Sequence, residues 1–299
     1  MIRLDETFLR GAYTPLVTPL RDGQVDYERF AALVDFQARA GSHGFVVCGT
    51  SGEPTTLTLA ERMRLVEVGV AAAARRLRVI AATGSQSFEE SLALTTAAEK
   101  AGADGLLVVT PYFVKPPARG LAAYYAELGS RTRLPLLIYQ IPARTGVTLD
   151  LATVERVAER VPHLVGIKHA STDLAFVTEL LGRLGAEFRV FAGLEELAFP
   201  MLALGAAGVM SAIGNLVPDK VAALCAETHA GALAAARRLH AELFELSRAV
   251  FFETNPIPIK YMMKRIGLLA TNEHRLPLVP APPELEERLD GVLRRAGLL

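Results

Sequence analysis

Eight short apolar segments recur along the chain, and they constrain its fold more than any other feature. Each is a run of β-branched or aliphatic residues, such as GFVVCG and GLLVVTP. None shows the apolar–polar alternation of a half-exposed strand, so we expect strands that are buried on both faces. Such strands are typical of a parallel sheet covered by helices. The segments begin at Ala12, Gly44, Arg78, Gly105, Leu134, Leu164, Arg189 and Ala206.

The segments between these strands are rich in Ala, Leu, Glu and Arg, as in TLAERMRLVEVGVAAAARR, and they predict helices. Eight strand–helix units in about 210 residues favour an α/β fold of the (β/α)8 TIM-barrel type. A doubly wound open sheet is the alternative, but it favours a glycine-rich first turn that this chain lacks. We therefore predict a barrel over residues 1–217.

The chain from residue 218 to residue 299 is almost wholly helical in pattern, with a break at NPIP, residues 255–258. We predict that this C-terminal helical region packs on the barrel. No low-complexity linker separates the two parts, which favours one continuous structural unit.

The composition excludes several classes of function. The 32 basic and 32 acidic side chains cancel, and no long run of one sign occurs, so we expect no nucleic-acid partner and no membrane surface. No apolar run approaches the roughly 20 residues that cross a bilayer, and the first residues lack a secretory signal pattern. Cys48 and Cys225 are too few for a disulfide framework, which favours the cytoplasm.

Polar residues that close the apolar strands mark the candidate site, because TIM-barrel active sites lie at the carboxyl ends of the strands. The four stretches that follow a strand directly are GTSGE at 49–53, TPYF at 110–113, YQIPARTG at 139–146 and GIKHAS at 166–171.

Lys168 closes the sixth strand and is one of only six lysines in the chain. A free lysine has a pKa near 10.4, and burial of a lysine at the end of an apolar strand can lower that value. A neutral amine condenses with a ketone to an iminium, and the neighbouring carbon then becomes an enamine nucleophile. The alternative is a lysine that turns outward to solvent or pairs with a carboxylate.

Four other residues at the strand ends carry hydroxyl or guanidinium groups suited to such chemistry. Tyr139 ends the fifth strand, where its phenol can relay protons or its ring can simply pack in the barrel mouth. Thr50 and Ser51 lie in a turn that can hold a carboxylate, or that is an ordinary turn. Arg144 can bind a second carboxylate in bidentate fashion through two of its guanidinium N–H groups, unless it is a solvated surface arginine.

With these residues in view, the chain resembles the dihydrodipicolinate synthase and N-acetylneuraminate lyase family of pyruvate-dependent class I lyases and aldolases. The motifs GAYTPLVTPL, GTSGE, TPYF, YQIPARTG, GIKHAS and NPIPIK occur in order over nearly the whole chain. The resemblance implies a (β/α)8 barrel with C-terminal helices, commonly assembled as a homotetramer of tight dimers. It also implies catalysis through a covalent lysine imine, with no cofactor and no metal.

The resemblance assigns roles by position. Lys168 matches the Schiff-base lysine that takes pyruvate, Tyr139 the general acid and base, and Thr50 the relay hydroxyl beside it. Ser51 is then expected at the pyruvate carboxylate and Arg144 at the carboxylate of aspartate semialdehyde. The substrate-binding residues that we predict are Ser51, Arg144, Gly193 and Met210.

Three departures from the synthase pattern accompany the resemblance. Phe113 stands where synthases usually carry a tyrosine that a neighbouring subunit lends to the proton relay, and its ring has no hydroxyl to pass a proton. His169 stands where they commonly carry an acid; it is either a packed neighbour of the strand or a group that titrates near neutrality. Leu59 and Arg62 replace histidines of lysine-inhibited synthases, which argues against feedback inhibition by lysine.

Two reactions fit these residues. The first is condensation of pyruvate with aspartate semialdehyde, which Arg144 within YQIPARTG favours. The second is an aldolase or dehydratase reaction on a 2-keto-3-deoxy sugar acid, which uses the same lysine imine and which Phe113 favours.

Two other classes have less support. A metal-dependent aldolase would need ligands from histidines that lack zinc-type spacing. A non-catalytic binding protein would not need both Lys168 and Tyr139. The histidines are His43, His163, His169, His229, His240 and His274.

Overall fold

The computed structural model describes residues 4–299, and its main sheet is a closed barrel of eight parallel strands surrounded by helices. The predicted (β/α)8 barrel is confirmed. The strands are β1 (Gly11–Pro15), β2 (Leu20–Arg21), β3 (Gln24–Val25), β4 (Gly44–Val47), β5 (Arg78–Ala82), β6 (Gly105–Val109), β7 (Leu136–Gln140), β8 (Leu164–His169), β9 (Arg189–Ala192) and β10 (Gly208–Val209). The order around the barrel is β1-β10-β9-β8-β7-β6-β5-β4, while β2 and β3 form a separate antiparallel pair.

Helices follow the barrel strands and continue to the C-terminus. Capping side chains mark the start of several helices. Thr58 and Glu61 form a capping box at the helix that begins at residue 59, and Asp150 and Asp173 each cap the helix that follows them. The helices are α1 (Tyr27–Arg39), α2 (Leu59–Ala73), α3 (Phe88–Ala101), α4 (Ala118–Ser130), α5 (Pro142–Thr145), α6 (Leu151–Arg160), α7 (Leu174–Leu184), α8 (Ala198–Ala203), α9 (Pro218–His229), α10 (Leu233–Ala249), α11 (Ile257–Arg265) and α12 (Pro283–Arg295).

Apolar side chains fill the barrel interior, and a larger core lies between the strands and the helices. Phe8 and Leu9, which precede β1, join the interior core. Leu107, Leu137 and Phe191 continue this core within the barrel, and all three are buried. The interior is therefore a packed core, and only the carboxyl ends of the strands are left for a site.

The register of the fifth and sixth barrel strands places two predicted site residues side by side. Tyr139 of β7 pairs with Lys168 of β8, and Gln140 pairs with His169. Paired residues of neighbouring parallel strands point to the same face, and successive residues point to opposite faces. Lys168 and Tyr139 therefore share the inner face, while His169 and Gln140 share the outer one.

Two C-terminal helices contact the barrel and each other: α9 contacts β1 and β10, and α10 contacts α8 and α9. The division of the chain at residue 217 stays a prediction. Within residues 4–299, no helix is long and apolar enough to span a membrane.

Candidate active site

Lys168 and Tyr139 meet at the carboxyl end of the barrel. The Lys168 side chain is directed into the protein with only 4% of its surface exposed, and Tyr139 is 5% exposed. Lys168 Nζ lies 4.4 Å from the centroid of the Tyr139 ring. The alternative of a lysine turned outward to solvent is therefore wrong, since apolar strand residues hold both side chains inside.

Thr50 extends this pair to a third group. It begins a short 3-10 turn, Thr50–Gly52, that follows β4. Its Oγ1 lies 3.2 Å from the Tyr139 hydroxyl, within hydrogen-bond distance, and either oxygen can be the donor. The structure thus brings together the three residues predicted to be catalytic, in the order amine, phenol and aliphatic hydroxyl.

Asn255 links the two residues predicted to bind carboxylates. Its Nδ2 donates a hydrogen bond of 3.0 Å to Ser51 Oγ, and its backbone oxygen accepts one of 3.1 Å from Arg144 Nη2. Its Oδ1 is buried and has no hydrogen-bond partner among the described residues. From the sequence, Asn255 was expected only to mark a break between helices. Its position in the NPIPIK motif was nevertheless a signal of a role in the site.

Gly193 and Met210 line the space beside Lys168. A Cβ atom on Gly193 would lie 2.8 Å from Ala170 Cβ and 3.0 Å from Lys168 Cε, so any larger residue would press on the lysine. Met210 is buried, and its backbone amide donates to the Ala192 oxygen at 2.9 Å. Glycine at 193 therefore leaves room for the extended lysine side chain.

Two cavities that share lining residues lie at the carboxyl end of the barrel, and Lys168 lines one of them. The inner cavity, of about 40 Å³, is lined by Lys168 together with Ser51, Gly193 and Met210. The outer cavity is about 290 Å³. The residues common to both are Thr50, Tyr139, Ile141, Arg144 and Asn255. A small molecule bound at Lys168 would therefore face a larger space in which a second substrate fits.

Glu195 is a buried carboxyl group in the wall of the inner cavity that sequence reasoning missed. Oε1 accepts a hydrogen bond from the Ala212 amide, and Oε2 has no partner among the described residues. Burial raises the pKa of Glu195, while the Ala212 amide and the Lys168 charge oppose that rise. The local sequence around Glu195, which follows the end of β9, does not indicate that its carboxyl group lies in the cavity wall.

His169 faces away from Lys168, on the outer side of β8. It is fully buried and packs on Phe176 at 5.3 Å between ring centroids. Nε2 lies 3.1 Å from the Asp173 backbone oxygen, to which it donates, and Nδ1 accepts from Gln140 Nε2 at 3.3 Å. Burial lowers the pKa of His169. These contacts support the packed-neighbour hypothesis and separate the imidazole from the cavity.

The other two departures lie at the edge of the site. Phe113 is 89% exposed and lines neither cavity. Leu59 is exposed at the start of α2, whereas Arg62 is buried, lines the outer cavity and pairs with Glu90 at 3.2 Å. Within residues 4–299, no three His, Cys, Asp or Glu residues gather into a group that could hold a metal ion.

Comparison with known proteins identifies the family to which this chain is similar. The sequence model of the dihydrodipicolinate synthetase family matches residues 8–296. The chain belongs to this family.

Relatives in the dihydrodipicolinate synthetase family cover nearly the whole chain. The 4-hydroxy-tetrahydrodipicolinate synthase of Thermus thermophilus is 46% identical over 291 residues, which is 97% of each chain. The crystal structure of dihydrodipicolinate synthase from Aquifex aeolicus is similar with a TM-score of 0.95 and 38% identity, and covers 97% of this chain and 98% of its own. A structure described as the first monomeric dihydrodipicolinate synthase variant has a TM-score of 0.94 and 38% identity, with 99% of each chain covered. The family resemblance predicted from the motifs is confirmed.

Proposed function

We propose that this protein condenses pyruvate with aspartate semialdehyde through an imine on Lys168, the reaction of a 4-hydroxy-tetrahydrodipicolinate synthase. One observation carries the proposal: a buried lysine amine lies against Tyr139, whose hydroxyl contacts Thr50 at 3.2 Å, at the base of a cavity that Arg144 borders. The Thermus thermophilus relative carries the name of this activity.

The first half-reaction forms the enamine. The deprotonated Lys168 amine attacks the carbonyl carbon of pyruvate, and the carbonyl oxygen takes up two protons and leaves as water. Tyr139 is the group placed to deliver and remove these protons, with Thr50 connecting it toward the outer cavity. Loss of a proton from the pyruvate methyl group then gives the enamine.

The second half-reaction uses the outer cavity. The enamine carbon attacks the aldehyde carbon of aspartate semialdehyde, and the aldehyde oxygen gains a proton. The amino group of that substrate then replaces Lys168 at the former carbonyl carbon, which closes the ring and frees the lysine. In this scheme Arg144 holds the semialdehyde carboxylate, and Ser51 holds the pyruvate carboxylate.

Arg144 favours this reaction over cleavage of a 2-keto-3-deoxy sugar acid. It borders both cavities, so its guanidinium group is near the space that the second substrate would occupy. Aspartate semialdehyde brings a second carboxylate to that space, whereas the same part of a 2-keto-3-deoxy sugar acid carries only hydroxyl and carbonyl groups. Phe113 lines neither cavity of its own chain, and in the proposed assembly its ring would bring no hydroxyl to the site of a neighbouring subunit, so the proton relay would depend on Tyr139 and Thr50.

The assembly, the domain division and the cellular location are further parts of the proposal. We propose a homotetramer of tight dimers in the cytoplasm, with a barrel over residues 1–217, helices over 218–299, and no cofactor beyond the lysine imine. Phe113 and Val114 support the assembly, because this exposed apolar loop is a surface that a neighbouring subunit would cover. The molar mass in solution tests it, and a monomer at working concentration would contradict it.

The activity is tested by comparing turnover of pyruvate plus aspartate semialdehyde with turnover of several 2-keto-3-deoxy sugar acids at matched concentrations. We expect kcat/KM for the condensation to exceed that for each sugar acid by at least about 100-fold, since buried polar mismatches carry discrimination of this size. Preferential cleavage of a sugar acid would replace the proposed reaction with the second one.

A further inference from the structure

A buried ionic cluster lies directly behind the turn that carries Thr50 and Ser51. Glu53, the last residue of GTSGE, accepts a hydrogen bond of 2.7 Å from Lys260 Nζ at Oε1 and one of 3.0 Å from His274 Nδ1 at Oε2. The three side chains are at most 1% exposed. We call these three residues the Glu53 cluster. It joins the turn after the second barrel strand to α11 and to the segment between α11 and α12.

The backbone couples Glu53 to the hydroxyl residues. The Glu53 amide donates to the Thr50 oxygen at 3.2 Å, and the Gly52 amide donates to the Gly49 oxygen at 2.8 Å. Thr18 Oγ1 holds the Gly52 oxygen at 2.7 Å. A displacement of Glu53 would therefore move the short turn as a unit, and Thr50 with it.

The conformation of Glu53 shows that the turn needs support from outside itself. Its φ of +54° lies in the left-handed region, which a residue with a Cβ rarely adopts. Such a conformation persists where surrounding contacts hold it, and it concentrates at functional sites. The contacts to Lys260 and His274 are the ones that hold this side chain.

Stability alone is a poor reason for such a cluster. Removing a carboxylate and an ammonium from water costs about as much as their attraction returns, and apolar replacements are often as stable. Burial lowers the pKa of Lys260, and the Glu53 carboxylate opposes that change. A buried charge pair that adds little net stability is suited to fixing one geometry.

We propose that Glu53, Lys260 and His274 are positioning residues that hold the Thr50 hydroxyl at the distance from Tyr139 needed for proton transfer. The proposal rests on the proposed function, because it assigns the cluster to the proton relay of that reaction. It gives the C-terminal helical region a part in the chemistry: α11 and the segment after it set the geometry of a turn on the barrel.

A matched control exists in the same segment. Arg275 follows His274, forms an ion pair of 2.7 Å with Glu61 and donates to the Gly23 oxygen at 2.8 Å. It also donates to the Thr56 oxygen, but it has no hydrogen bond to residues 50–53. Arg275→Gln therefore loosens the segment without touching the turn directly.

The test replaces the cluster by apolar groups of similar size, Glu53→Met/Lys260→Met/His274→Leu, and measures steady-state kinetics. We expect kcat to fall about 10- to 100-fold, since a misplacement of about 1 Å in a reacting group has effects of this size. KM for aspartate semialdehyde should change less than kcat, because Arg144 and Asn255 are unchanged, although Glu53 itself borders the outer cavity. Arg275→Gln should keep kcat within about twofold of the parent enzyme. A folded triple variant with parental kcat, or an equal loss in Arg275→Gln, overturns the proposal.

If the triple variant does not fold, the steady-state kinetics of Glu53→Gln test the proposal instead, because this substitution keeps the side-chain volume and removes the negative charge. A lower kcat at unchanged KM supports positioning, and unchanged kinetics overturn it. Crystal structures give a readout that does not depend on activity: the distance from Thr50 Oγ1 to the Tyr139 hydroxyl should grow beyond 3.2 Å in the variant that folds. An unchanged distance overturns the proposal. An inactive parent enzyme with no pyruvate imine would instead refute the proposed function, and the crystallographic distance would still decide the positioning role.

Discussion

The two ends of the barrel each hold a buried tyrosine and a buried cation, yet they differ in what surrounds them. Toward the amino end, Tyr13 accepts a hydrogen bond of 3.1 Å from the Leu9 amide and packs edge-on against Phe191. Burial raises the pKa of Tyr13 to about 12. Arg189 is buried nearby and, like Tyr13, lines neither cavity of the candidate site.

At the carboxyl end, Tyr139 and Lys168 border a cavity, and the Tyr139 hydroxyl continues to Thr50. A buried polar pair is therefore not by itself a site. It becomes a candidate for chemistry where a cavity admits a substrate and a further hydroxyl leads protons toward that cavity. Paired substitutions at the two ends test whether this difference decides function.

The largest expected contrast is between the two cations. Lys168→Met should reduce condensation by at least about 1,000-fold, since the imine step then has no nucleophile. Arg189→Met at the opposite end should leave kcat within about twofold, whatever it does to stability. Initial rates of both purified variants, with folding checked by circular dichroism, measure the contrast. Comparable losses in both would mean that the two ends do not differ in function.

The two tyrosines should differ by a smaller factor. Tyr139→Phe keeps the ring against Lys168 and removes the hydroxyl, so we expect kcat to fall about 10²- to 10⁴-fold, the usual range for a general acid–base. Tyr13→Phe loses only the hydrogen bond from Leu9, which costs about 1 kcal/mol of the free energy of unfolding. Its kcat should be unchanged. A Tyr139→Phe enzyme with near-parental kcat would assign the proton transfers to another group.

Two glycines provide a third comparison. Gly193→Ala brings a Cβ to 3.0 Å from Lys168 Cε and should lower kcat about 10-fold by displacing the amine. Gly182→Ala meets no atom within 4 Å on the exposed face of α7 and should stabilise the fold by about 0.5–1 kcal/mol with unchanged kcat. Kinetics and thermal denaturation of the two variants separate these effects; equal kinetics in both would show that Lys168 tolerates the added methyl group.

The smallest expected effect is that of His169 on the stability of the fold at acidic pH. Its folded-state pKa lies below the unfolded value near 6.5, so the unfolded chain binds more protons there as the pH falls. The contribution of His169 to stability is thus present above pH 6.5 and is lost as the pH falls below it. His169→Gln should lose less stability than the parent between pH 7 and 5, measured by urea denaturation, and the pH profile of kcat should keep its shape. A changed kinetic profile would mean that the imidazole does tune the site.

The local sequence pattern predicts most of the fold and part of the candidate site. Continuous apolar runs predict buried parallel strands, and the residues that end those runs, Lys168 and Tyr139, lie at one mouth because parallel strands share an end. Asn255 and the Glu53 cluster could not be predicted in this way, since their contacts join residues more than 200 positions apart. The orientation of His169 was left open, because an unbroken apolar strand gives no sign of which face is inside.

Reduction with borohydride tests the central claim most directly. The protein is mixed with pyruvate, reduced, digested and examined by mass spectrometry, with the Lys168→Met variant treated in parallel. The account predicts a stable added mass on the peptide that contains Lys168 and none on the peptides that contain Lys260 or other lysines. Absence of that adduct in the parent protein, or its presence on another lysine, would contradict imine formation at Lys168.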